Sequence, residues 1–194
     1  IMLTMDVSAS MLTEDVYPNR MVVAKEVASE FISGRPNDNI GLTIFAGEAF
    51  TQCPMTLDHA ALLNLLHGVR TDLVTSGLMQ DGTAIGMGLA NAVSRLKDSK
   101  AKSKIVILLT DGSNNAGSIS PMTAAAIARK FGIRVYTIGF GKETGEEIGA
   151  IDYKTLQDIA VSTNGEFYRA QSQAELSRIY QDIDKLEKTK MNAR

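Results

Sequence analysis

The chain predicts an α/β domain: a doubly wound, mostly parallel six-stranded sheet with one antiparallel edge strand and helices on both faces. Three observations carry that prediction. Short apolar runs alternate with segments whose apolar residues recur at helical spacing, as parallel strands joined by crossover helices require. The run Ile105-Val106-Ile107-Leu108-Leu109 is apolar at every position, as a central strand covered on both faces must be. Two strand-like runs, 40–45 and 49–55, are separated only by Ala46-Gly47-Glu48. A connection that short excludes a crossover and makes that pair an antiparallel hairpin.

Taken in order, residues 1–5 form a buried strand, and Asp15 to Arg20 is polar and turn-like. Pro18 suits a first helical turn. Met21, Ala24, Ala28 and Phe31 share a helical face that Gly34 ends. After the hairpin, 57–66 reads as a short helix with Asp58 near its start, where the macrodipole favours an acid. Residues 71–81 are irregular. Asp81-Gly82-Thr83-Ala84 opens a helix whose face is Ile85, Leu89, Ala92, Val93 and Leu96. Gly86 and Gly88 are poor helix formers and predict close packing against a neighbouring backbone there. The strand at 104–110 is followed by a Ser/Asn/Gly loop, a helix that begins after Pro121 and runs to Phe131, and a buried strand at 133–138. Gly139-Phe140-Gly141 leads into an acidic loop. A helix over 153–162, a short edge strand at 166–169 and a last helix from Ser172 complete the order β-α-β-β-α-α-β-α-β-α-β-α. Ser172 and Glu175 have capping-box spacing, and Leu176, Ile179, Tyr180, Ile183 and Leu186 form the apolar face. The stretch 185–190 reads as that helix running out into polar sequence.

The 194 residues suit one domain with a substantial core and show no internal repeat. Hydrophobic content of 44% and charged content of 22% are ordinary for a globular chain. A net charge of -2 lacks the basic face of a nucleic-acid binder, so no nucleic-acid partner is expected. Cys53 is the only cysteine, which excludes an internal disulfide. No signal peptide and no bilayer-length apolar stretch is present. The first residue, Ile1, stands inside a strand, so residues 1–194 are expected to be a single domain excised from a longer protein.

Function is expected where the first strand ends. Asp6, Ser8 and Ser10 place a carboxylate and two hydroxyls at alternate positions, all oxygen donors. Hard divalent cations take oxygen ligands, and open α/β sheets bind ligands at the carboxyl ends of their strands. Thr83 at a helix start and Asp111 at the end of the 104–110 strand supply further oxygens. The first strand and the 104–110 strand are expected to be neighbours across the switch point of the sheet.

With Asp6-Val7-Ser8-Ala9-Ser10, Thr83 and Thr110-Asp111-Gly112 together, the chain resembles von Willebrand factor A domains with their metal-ion-dependent adhesion site. The resemblance covers essentially the whole chain and implies a Rossmann-like fold. Narrower runs, such as 50–56, 81–86, 109–117 and 179–188, make it most similar to the bacterial Bat aerotolerance-associated proteins. Ala9 departs from the Gly common in the family, between two ligand positions. The resemblance implies a metal site of Asp6, Ser8, Ser10, Thr83 and Asp111, with Mg²⁺ as the expected ion and Mn²⁺ or Ca²⁺ as alternatives. It implies a protein-binding module whose partner supplies an Asp or Glu to the metal, and a complex with related Bat-type proteins. It also implies a membrane-anchored bacterial parent, with the periplasmic side favoured for this domain. In relatives, partner binding is coupled to a shift of the C-terminal helix, so residues 172–188 are a candidate switch element.

Two other readings compete. One is a Mg²⁺-dependent hydrolase with Asp6 as nucleophile. It needs a second carboxylate two residues on, and Ser8 stands there. The other is a structural domain with a vestigial site. Asp81 reads as a turn former, and Asn114 and Asn115 as residues that shape the loop or line the partner face. His59 and His67 read as surface residues, Cys53 as a packing residue, and the nine methionines as core filler. Gly139-Phe140-Gly141 lacks the third glycine of a dinucleotide loop, and no phosphate-binding loop sequence is present.

Overall fold

The structure, a computed structural model, describes residues 1–70, 72–142 and 151–192. The acidic loop expected after Gly141 lies outside them. Six strands, β1 (Met2–Asp6), β2 (Ile40–Phe45), β3 (Ala49–Thr56), β4 (Ile105–Thr110), β5 (Arg134–Phe140) and β6 (Phe167–Ala170), form one sheet in the order β3-β2-β1-β4-β5-β6. All adjacent pairs are parallel except β2 with β3, where the three-residue connection enforces the antiparallel hairpin.

Among the described residues, six α-helices, α1 (Arg20–Ser33), α2 (His59–His67), α3 (Ile85–Leu96), α4 (Pro121–Lys130), α5 (Tyr153–Ser162) and α6 (Gln173–Asn192), cover the two faces. Alternate residues of each strand feed two cores. Leu3 and Met5 of β1 and Ile107 and Leu109 of β4 pack with Met21, Leu62 and Ile179 of α1, α2 and α6. Met2, Val106 and Leu108 point the other way, into Leu89, Ala124 and Ile159 of α3, α4 and α5. The close packing against backbone expected at Gly86 and Gly88 is found at Gly86, whereas Gly88 packs against a side chain. A Cβ on Gly86 would lie 2.0 Å from the Ile119 carbonyl oxygen, and one on Gly88 would lie 2.7 Å from the Phe45 ring.

Asp58 stands at the start of α2 as expected: it is the N-cap and accepts the Ala61 N–H at 3.1 Å. Three local expectations change. Pro18 sits before helix α1, because Asn19 caps it by accepting the Val22 N–H at 2.9 Å. His59 is half-buried, its Nε2 2.6 Å from the Asp38 carbonyl oxygen, so it is no free surface residue. At the far end of α6, Glu187 does not run out into solvent. It is buried and accepts bonds from Arg134 and Tyr136 of β5 and from Ser103.

The topology fixes where a ligand can sit. From β1 the chain winds outward through β2 and β3, then returns to the other side of β1 as β4. The carboxyl ends of β1 and β4 lie side by side, with Met5 opposite Leu109, and the chain diverges there in two directions. That divergence leaves the crevice in which doubly wound sheets bind their ligands.

Candidate metal centre

Asp6 is the last residue of β1 and is fully buried. Its Oδ1 accepts the Ser8 N–H at 2.8 Å, and its Oδ2 accepts the Thr110 hydroxyl at 2.7 Å. The first bond is a local turn that lets the chain leave the strand. Ser8 is extended, and a single 3-10 turn, Ala9–Leu12, then folds Ser10 back over the strand end. Ser8 Oγ and Ser10 Oγ lie 3.0 Å apart, and Ser10 Oγ donates to Asp111 Oδ1 at 2.8 Å. Asp111 follows β4 directly and is 4% exposed. Asp6, Ser8, Ser10 and Asp111 thus sit in one hydrogen-bonded cluster, and the alternation of residues 6, 8 and 10 is what brings it about.

Thr83 reaches the same end of the sheet from the loop before α3. The Asn115 side chain accepts the Thr83 N–H at 2.8 Å, and the Asn115 N–H donates to the Thr83 carbonyl at 3.0 Å. Next to it, Ala84 N–H bonds the Ala46 carbonyl at the end of β2 at 2.6 Å. Asn115 therefore ties the Thr83 loop to the loop that carries Asp111. Asp81 accepts the Gly82 N–H at 2.8 Å, as expected of a turn former.

Burial pushes the Asp6 carboxyl up, the Asp111 charge adds to that, and hydrogen bonds from Ser8 and Thr110 oppose it, leaving a pKa of about 7. Two carboxylates have been brought close together out of water, which calls for a cation. One cation is already there. Arg20 Nη1 donates to Asp111 Oδ2 at 2.9 Å, while its Nε and Nη2 grip both oxygens of Asp15 at 2.9 and 2.7 Å. Sequence reading missed Arg20. A signal existed: Arg20 is the first residue of α1, where the macrodipole disfavours positive charge and no acid shares the first turn.

The donor set fits a hard divalent ion. It offers two carboxylates and three hydroxyls, with neither sulfur nor imidazole. Among the described residues, no group of three or more His, Cys, Asp and Glu side chains could hold a metal in another way. Both oxygens of Asp6 are already bonded, so that carboxylate is positioned by Ser8 and Thr110 before any ion arrives.

Comparison with known proteins follows the same lines. The family model for the von Willebrand factor type A domain matches residues 1–182. An uncharacterized protein of Borreliella burgdorferi is 30% identical over 203 residues, covering 96% of this chain and 58% of that protein. The chain thus spans under two thirds of the length of the curated relatives it matches. Among solved structures, the conserved hypothetical protein BatB from Bacteroides thetaiotaomicron is 29% identical with a TM-score of 0.81, covering 96% of this chain and 98% of that one. An aerotolerance-related membrane protein from Bacteroides fragilis is 27% identical with a TM-score of 0.78, covering 93% and 96%. Proximal thread matrix protein 1 from the mussel byssus, described with a zinc-occupied MIDAS motif, is 26% identical with a TM-score of 0.76, covering 96% of this chain and 44% of that one.

Proposed function

This chain belongs to the von Willebrand factor type A domain family, and from that premise we propose that it is a divalent-metal-dependent protein-binding module of a Bat-like bacterial protein. The observation that carries the reading is the oxygen cluster at the switch point, in which Ser10 Oγ reaches Asp111 Oδ1 at 2.8 Å beside the buried Asp6. Asp6, Ser8, Ser10, Thr83 and Asp111 would hold the ion, Mg²⁺ first, with Mn²⁺ or Ca²⁺ able to replace it. A bound ion supplies an electrophilic position for an oxygen ligand from outside. With only two carboxylates in the set, the ion keeps net positive charge, and an Asp or Glu of a protein partner is the ligand that charge attracts. The similarity to an aerotolerance-related membrane protein supports a membrane-anchored parent. The proposal further takes the parent to work with related Bat-type proteins and this domain to stand on the periplasmic side. Among the described residues, no helix is long and apolar enough to cross a membrane.

The reading as an interaction module rather than an enzyme rests on what stands beside Asp6. A hydrolase with Asp6 as nucleophile needs a second carboxylate two residues on as general acid, and Ser8 stands there.

Titration calorimetry with Mg²⁺ and Mn²⁺ tests the metal claim. The chain is expected to take up one ion, and Asp111→Ala to abolish uptake. Equal and negligible heats in both proteins would sink the reading. Metal-dependent turnover of a generic phosphate ester would sink the non-enzymatic part alone.

A further inference from the structure

We propose that Arg20 is a built-in counter-cation of this centre: its guanidinium shares Asp111 with the divalent ion and so weakens the protein's hold on the metal. The inference rests on the metal-site reading above and deepens it, since it concerns what sets affinity at that site.

The placement of Arg20 is not incidental. Its guanidinium is held by three N–H donors on two carboxylates, at 2.7 to 2.9 Å, and the residue is buried. Three loops converge on it. Asp15 comes from the β1–α1 loop and Asp111 from the end of β4. Lys142, after β5, donates its N–H to Asp15 Oδ2 at 2.8 Å. Gly141 completes the seat: its φ is +142, and a Cβ there would lie 2.8 Å from Arg20 Cζ, so the backbone leaves that space to the guanidinium. The helix position is electrostatically adverse for a cation, and the two carboxylates offset that.

The consequence follows from charge. Arginine cannot deprotonate, so the positive charge beside Asp111 is permanent. One oxygen of Asp111 is bonded to Arg20 and the other to Ser10, which leaves this carboxylate a weaker donor than a free one. The guanidinium would also repel a dication that shared Asp111 with it. Asp15 moderates both effects, because its bidentate grip neutralises much of the guanidinium charge. A loosely held ion stays strongly electrophilic, which suits a site completed by a partner's carboxylate.

Arg20 and Asp15 therefore have opposite effects on metal binding, which no merely structural role produces. Mn²⁺ titration calorimetry is paired with thermal melts in EDTA. Arg20→Gln removes the like charge and is expected to bind Mn²⁺ about tenfold more tightly than the unaltered chain, while its metal-free form melts lower. Asp15→Asn, which leaves the guanidinium uncompensated, is expected to bind about threefold or more weakly. Arg20→Lys keeps the charge and should stay within about threefold of the unaltered chain. Equal or weaker binding by Arg20→Gln overturns the proposal. Should that variant fail to fold, Asp15→Asn decides, and equal or tighter binding there overturns it. If the unaltered chain takes up no Mn²⁺, the metal reading itself fails and the proposal falls with it. Uptake by the unaltered chain without the opposed shifts defeats Arg20's role alone.

Discussion

At the scale of single residues, the groups that hold the oxygen donors in place act across long stretches of chain. Arg20 meets Asp111 across 91 positions, and Asn115 meets Thr83 across 32. Asn115 leads to a prediction. Its side chain satisfies the Thr83 N–H, and Asn115→Ala would leave that donor unpaired at a cost of about 1–2 kcal/mol. The larger effect should be on the site, since Thr83 loses one of its two links to the Asp111 loop and keeps only the backbone bond from the Asn115 N–H to its carbonyl. Calorimetry should show Mn²⁺ affinity reduced about tenfold, more than the modest loss in melting temperature suggests. An unchanged affinity with reduced stability would show that Asn115 only supports the loop.

At the scale of elements, the order and type of the six strands and six α-helices among the described residues could be read from periodicity, because burial on both faces of the sheet leaves continuous apolar runs between helical ones. The oxygen donors were legible too, since Asp6, Ser8 and Ser10 lie within one strand end and one turn and Asp111 marks the end of the strongest apolar run. The 3-10 turn Ala9–Leu12 was not, and neither were Arg20 and Asn115, whose partners are distant. What periodicity could not supply was the fate of charged residues on a helix. The stretch 185–190 reads as solvated, yet Glu187 lies beneath α6 against Arg134, Tyr136 and Ser103. Burial alone would raise the Glu187 carboxyl, but the hydrogen bonds from these three groups outweigh it and hold it below its ordinary 4.5. A carboxyl whose folded pKa is depressed stabilises the fold above its unfolded pKa and loses that contribution as pH falls through the folded one. Melting temperature should therefore drop on acidification below 4.5, and Glu187→Gln should flatten that part of the profile. At neutral pH the same variant leaves Arg134 without its carboxylate and should cost about 3 kcal/mol. A parallel acid profile in both proteins would refute the role of Glu187. A second element-scale prediction concerns α3. Gly86→Ala forces a Cβ to within 2.0 Å of the Ile119 carbonyl oxygen, so helix and loop must separate. That separation should destabilise the fold by about 2 kcal/mol and displace Thr83, three residues before. Chemical denaturation measures the first effect and Mn²⁺ calorimetry the second.

At the scale of the whole molecule, the centre joins parts that are far apart in sequence. β1 and β4 meet at Asp6 and Thr110, the 3-10 turn reaches Asp111 through Ser10, and Asn115 draws in the loop before α3. These contacts span the switch point, where the two halves of the sheet diverge. An ion held by all three loops would bind the folded chain and not the unfolded one, so metal should stabilise the entire fold. At a free concentration one hundred times the dissociation constant the gain is about 2.7 kcal/mol. For a domain of this size that corresponds to a rise in melting temperature of about 5–10 °C. Because the two sheet halves are tied together at this point, the rise should appear as one cooperative shift of the entire transition, not as a new early or late phase. EDTA should reverse it, and Asp111→Ala should melt at the same temperature with and without Mn²⁺. A metal-induced rise that persists in Asp111→Ala would place the stabilising ion elsewhere on the surface, and the switch point would lose its claim to be the metal centre.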